Sequence, residues 1–187
     1  SWEIYKGLAI GTKVDFTAAN VAKYKDLRHK TKLMNLALTT GVYVPLRSVS
    51  LGLNYTYRRN TESVVFSTYA SNAQEFSSYI NYGPWIGKTE QFSSSGFTDS
   101  NREQPMLNEY HGLGLQFSWD ILPNLSWFNN FGGTYRKGYY GRKSPYTIVH
   151  SDHHSNIYDY QSRLSLILDK QIHHLDFSFS SENLVNE

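Results

Sequence analysis

The chain has 187 residues, with 18 Lys+Arg against 16 Asp+Glu and a formal net charge of +2. That balance does not point to the clustered basic face of a nucleic-acid binder, and the absence of cysteine excludes disulfides, thiolate chemistry and Cys-ligated metals. Aromatics reach 16% and charged residues only 18%, below the roughly 25% of an ordinary globular domain, yet the mean hydropathy of −0.51 is that of a hydrophilic chain.

The dominant signal along the chain is alternation with a period of two, the mark of strands with unlike faces. Leu8, Ile10, Val14 and Phe16 alternate with Gly7, Ala9, Gly11, Lys13 and Asp15. Met34, Leu36, Leu38, Val42 and Val44 alternate with Asn35, Ala37, Thr39 and Gly41. The clearest segment runs from Arg47 to Arg59, with Val49, Leu51, Leu53, Tyr55 and Tyr57 on one face and Ser48, Ser50, Gly52, Asn54, Thr56 and Arg58 on the other. Leu113, Leu115, Phe117 and Trp119 follow, then Leu125, Trp127, Phe131 and Tyr135. Tyr158, Tyr160, Leu164, Leu166 and Leu168 come next, and Leu175, Phe177 and Phe179 close the series. These are about seven strands of about 10 to 14 residues, longer than the usual five or six.

The connections alternate in length. Tight turns are expected at Val44–Arg47, Ile121–Asn124 and Lys170–Ile172, and long loops over Thr17–Lys30, Thr61–Glu109 and Lys137–Ser155. An up-and-down antiparallel sheet therefore carries its short turns at one end and its long loops at the other. An apolar face can point inward, as in a soluble barrel or sandwich binding an apolar or carbohydrate ligand, or outward into lipid.

Three features favour lipid. A tilted transmembrane strand needs about 9 to 11 residues. Short turns opposite long loops are the pattern of outer-membrane barrels. The polar face consists of Gly, Ser, Thr, Asn, Gln, Asp and Arg rather than the Lys and Glu of a solvated surface. Tyr43, Tyr55, Tyr57, Trp119, Trp127, Tyr135, Tyr158 and Tyr160 gather toward strand ends, where aromatic girdles sit at lipid headgroups.

An odd strand count and an ending without a terminal aromatic residue lead to a further expectation. Residues 1–187 form a single segment of a longer barrel, since lipid tolerates no open sheet edge.

Segments such as Ser48–Tyr57 and Gly112–Trp119 resemble strands of Gram-negative outer-membrane barrels. The whole chain is similar to the large, poorly characterised barrel proteins of gut-type anaerobes. The resemblance implies an outer-membrane location and insertion by the barrel-assembly machinery. It implies contact with lipid and lipopolysaccharide, and with other outer-membrane subunits. It supplies no catalytic residues, and neither a cofactor nor an enzymatic activity is expected.

Candidate sites are few. His150, Asp152 and His154 would share one side of an extended segment and present ligands suited to zinc, nickel or copper. His173 and His174 belong at the opposite end and could not complete that site. In the 61–109 connection, read as an external loop, Tyr79, Tyr82, Trp85 and Phe92 stand among Ser, Asn and Gln, a composition that can stack on sugars or cap a lumen. The basic stretch from Lys23 to Lys32 could meet lipopolysaccharide phosphates. Arg58, Arg136, Arg163, Asp15, Asp159 and Asp176 fall on the polar face as a candidate charge network. No Gly-x-Ser-x-Gly elbow supports a barrel hydrolase.

Overall fold

The computed structural model describes residues 2–5, 7–24, 28–67, 76–83, 86–92, 104–144 and 147–186, and describes side chains over 7–24, 30–63, 106–140 and 152–186. The described elements are all β. They are β1 (Trp2–Tyr5), β2 (Leu8–Ala22), β3 (Arg28–Leu46), β4 (Val49–Ser67), β5 (Phe76–Gly83), β6 (Ile86–Phe92), β7 (Gln104–Leu122), β8 (Leu125–Ser144), β9 (Thr147–Leu168) and β10 (Gln171–Asn186).

One antiparallel sheet runs in the order β1-β2-β3-β4-β7-β8-β9-β10, and β5 and β6 form a separate hairpin. The seven long strands are those that the alternation marks, and β1 adds a short edge that covers only Leu8–Ile10 of β2. Eight strands are enough to close the smallest barrels. Here β1 and β10 do not pair, so among the described residues the sheet is an open arc.

The strands run further than the alternation shows. β8 has 20 residues and β9 has 22, so most of the expected long loop at Lys137–Ser155 is paired strand. β2 continues to Ala22 and β4 to Ser67, while β7 begins at Gln104. Residues 61–67 and 104–109 therefore belong to the sheet rather than to the connection. The physical reason is that the two faces no longer contrast in these outer halves: Arg59-Asn60-Thr61-Glu62-Ser63 is polar throughout and carries no two-residue period. Backbone pairing continues without it, because the ladder depends on N–H and C=O groups and not on side-chain contrast.

The short turns lie where expected, at Arg47-Ser48, Pro123-Asn124 and Asp169-Lys170. Arg47 takes a positive φ of 46°, the left-handed conformation that a two-residue hairpin asks of its loop. The turn carbonyls are also used. The Asp120 N–H donates to Ser48 O and the Ile167 N–H to Asn124 O, each at 2.8 Å.

Burial is inverted with respect to a soluble sheet. Among the described residues no hydrophobic side chain is buried, whereas Asn108, Asn129 and Ser155 are. A packed core, the usual driving force of a water-soluble fold, is missing from the arc on its own.

Candidate functional site

Ladder register sorts the side chains, because residues directly opposite each other share a face. One row reads Ile10–Val42–Leu53–Leu115–Phe131–Tyr160–Phe179 from β2 to β10. Every member is a large apolar or aromatic side chain. Leu53 and Phe179 are each 56% exposed and Phe131 48%.

Nearer the short turns, the same face carries Val49–Trp119–Trp127–Leu164–Leu175. On the other side of the apolar row come Tyr55 and Tyr158, and then Tyr57 and Tyr135. Beyond these the character changes to Arg59–Glu109–Lys137–His154. Of the eight aromatics expected at strand ends, seven share this apolar face. Tyr43 does not, since it pairs with Gly52 on the polar side.

Polar groups on the apolar face are partly satisfied by each other, while the buried Asn129 Nδ2 has no hydrogen-bond partner among the described residues. Trp127 Nε1 donates to Ser162 Oγ at 2.8 Å, and the Tyr160 hydroxyl donates to Asn129 Oδ1 at 2.8 Å. Phe131 stacks on Tyr160 with centroids 4.7 Å apart, and Phe117 meets Trp127 edge-on. Asn129 and Ser162 interrupt the alternation, which is why sequence reading passes over them.

The opposite face is built from small and polar residues. Its central row is Gly11–Gly41–Asn54–Gly114–Gly132–Asp159–Ser180. Gly114 leaves room for the Asn54 carboxamide, which would stand 2.7 Å from a β-carbon there. Thr39 and Thr56 share a hydroxyl hydrogen bond of 2.9 Å, and Ser180 donates to Asp159 at 2.7 Å.

The six charges expected to form one network are all on this face but lie in separate groups. Arg163 grips Asp176 through two hydrogen bonds of 2.6 and 3.2 Å. Arg136 pairs instead with Glu182 at 2.9 Å, a partner that becomes visible only with the register. Arg58 donates to Asn35 Oδ1 at 2.8 Å and lies over the Tyr110 ring. Asp159 is held by Ser180, and Asp15 pairs with Lys13.

Beyond the apolar band, His153 Nε2 and Asn108 Oδ1 are 2.6 Å apart beside the buried Gly138. Burial holds the His153 pKa below its ordinary 6.5, Arg136 adds to the depression, and Asp152 opposes it. The imidazole is therefore neutral near pH 7, with Nε2–H donating to Asn108.

Asp152 and His154 share one face of β9, but the β8–β9 ladder shifts register between Ser151 and Val149, at His150, so the alternation does not extend to that residue. The His150 side chain lies outside the described residues, and among those described no group of three or more His, Asp or Glu residues could hold a metal ion. His173 and His174 are at the short-turn end, against Gln171 and Ser165. Tyr79 and Tyr82 belong to β5 and Phe92 to β6, their side chains outside the described residues, and Trp85 lies outside them altogether.

Residues 1–186 match the model of a family of unknown function, DUF6850. The chain belongs to that family. No curated protein matches it. Its fold is similar to the crystal structure of the outer membrane transporter YddB from Escherichia coli, with a TM-score of 0.56 at 8% identity. The match covers 98% of this chain and 27% of that one. At that identity the likeness is one of fold, an antiparallel arc matching part of a larger barrel protein.

Proposed function

We propose that the chain forms a sector of an outer-membrane β-barrel wall, with its apolar face in lipid and its Gly/Asn/Thr face lining a water-filled passage. One observation carries this reading: none of the described large apolar side chains is buried, and most of them fall into one continuous band on one face, with Val21, Phe128, Ile167, Ile172 and Leu184 among the exceptions on the other. In water such a surface would be far larger than soluble monomers show. In lipid it is the required solvent-facing surface.

The long strands fit the same picture. A strand of 19 residues spans about 60 Å, about twice the hydrocarbon core. The wall therefore extends beyond the bilayer at the long-connection end, where the alternation has ended. Trp119 and Trp127 on one side of the band and Tyr55, Tyr57, Tyr135 and Tyr158 on the other stand at the two headgroup levels. All 16 residues of β10 present an unpaired edge among the described strands, as does β2 beyond its contact with β1. In lipid these edges need partners, so further strands complete the barrel.

The role that follows is a conduit or uptake component, inserted by the barrel-assembly machinery and surrounded by lipid and lipopolysaccharide. Nothing in this reading calls for a catalytic step. Fractionation of cells expressing the full-length protein tests it. The protein should remain with the outer membrane through an alkaline wash and leave it only with detergent. Recovery in the wash, with no detergent, would sink the proposal and favour a soluble sheet that binds an apolar ligand.

A further inference from the structure

We infer that the lipid-facing side of the wall carries a binding site for a phosphate-bearing acylated lipid of the leaflet at the long-connection end. The inference rests on the wall reading above and goes beyond it by assigning a ligand class to particular residues.

The site begins with a glycine that packing does not require. A β-carbon built on Gly114 or Gly138 would collide with neighbours, but one built on Gly133 meets nothing within 4 Å. Gly133 sits on the apolar face between Leu113 and Tyr158. The missing side chain opens a groove of about 440 Å³ lined by Leu115, Phe131, Tyr160 and Phe179. It continues, through the shared residues Leu113, Gly133 and Tyr158, into a second hollow of about 380 Å³. There the lining turns polar, with Tyr55, His111 and Asn156, and the Tyr55 hydroxyl lies 2.7 Å from His111 Nδ1. Apolar below and hydrogen-bonding above is the order that an acyl chain and its carbonyl-bearing head require.

Charge lies immediately beyond. Arg59 and Lys137 flank Glu109 in one ladder row, and the Glu109 carboxylate accepts a hydrogen bond from Tyr57. Arg59 Nε has no hydrogen-bond partner among the described residues. Lys30 and Lys32 stand further up the same face of β3. On this face beyond the tyrosines, the described side chains comprise Lys30, Lys32, Arg59 and Lys137 against Glu109 and Asp152, a balance of 4 − 2 = +2. The described lipid-facing side beside the groove is thus cationic, and a phosphate is the anion whose oxygens match an Arg/Lys pair.

Native mass spectrometry of the full-length protein, released from lipid nanodiscs, tests the site. The probes are a bis-phosphorylated acylated glucosamine disaccharide, its dephosphorylated counterpart and inorganic phosphate. The expected result is retention of the phosphorylated lipid at least about tenfold stronger than of the dephosphorylated one, the scale of one charge-assisted contact, with no displacement by inorganic phosphate. Arg59→Ala combined with Lys137→Ala should abolish that preference. Gly133→Leu, whose β-carbon would meet nothing within 4 Å and whose branch would occupy the groove, should weaken retention while leaving heat-resistant migration on gels unchanged. Equal retention of both lipids, variants that bind like the parent, or displacement by inorganic phosphate would each overturn the site. A protein that enters no bilayer contradicts the wall reading and the site with it. One that inserts but retains no lipid contradicts the site alone.

Discussion

The carboxamide of Asn54 occupies the space that a side chain on Gly114 would need, with both amide atoms 2.7 Å from the position of the absent β-carbon. The two residues are directly opposed across β4 and β7 in the central polar row. Gly114→Ala forces the amide aside and should destabilise the wall by about 1 kcal/mol, the usual scale of local overpacking at its lower end. Asn54→Ala should remove most of that penalty in the double variant. Urea unfolding in micelles, read as a double-mutant cycle, measures it. Additive effects would show that the two side chains do not compete for the space.

His153 gives the wall a pH dependence of known sign. Its folded pKa lies below its ordinary 6.5, chiefly through burial. The unfolded chain therefore takes up the proton first, and stability is complete above about 6.5 and falls as pH drops through the folded value. Lower urea midpoints at pH 5 than at pH 7.5 are expected. His153→Gln keeps a donor toward Asn108 and removes the titration, so it should flatten the difference. An unchanged slope in that variant would assign the effect to another group.

Much of the arc is legible in the sequence where its two faces meet different solvents. Val49 to Tyr57 alternates because one side of β4 is apolar and the other is Ser, Gly, Asn and Thr. The alternation fails at Arg59 to Ser67 and again from Lys137 to Ser144, where the two faces no longer contrast although the ladder continues. Periodicity reports contrast between faces, not pairing, so it ends with the apolar band. Site residues are harder to read for a different reason. The Arg136–Glu182 pair joins β8 to β10 across the intervening β9, and no local spacing reveals it. Gly133 looks like any other strand glycine until its neighbours in space are known. Asn129 and Ser162 read as lapses in the pattern, yet each accepts a hydrogen bond from an aromatic donor on the apolar face.

Arg47 adopts a left-handed backbone at the first position of the β3–β4 hairpin. A side chain there costs roughly 1 kcal/mol relative to glycine. Arg47→Gly should raise the unfolding free energy in micelles by up to about that amount, unless the Arg47 side chain itself anchors the turn to headgroups. Loss of stability on substitution would establish such an anchor.

The central claim is that the apolar face meets lipid and the polar face meets water. The chain contains no cysteine, so single cysteines placed in turn at Leu113, Leu115, Gln116, Phe117 and Ser118 can each carry a spin label. Accessibility to oxygen, which concentrates in lipid, and to a water-soluble nickel complex can then be read by electron paramagnetic resonance in reconstituted bilayers. Labels at 113, 115 and 117 should favour oxygen, and labels at 116 and 118 the nickel complex. The reverse alternation, or nickel access at all five positions, would contradict a lipid-facing wall.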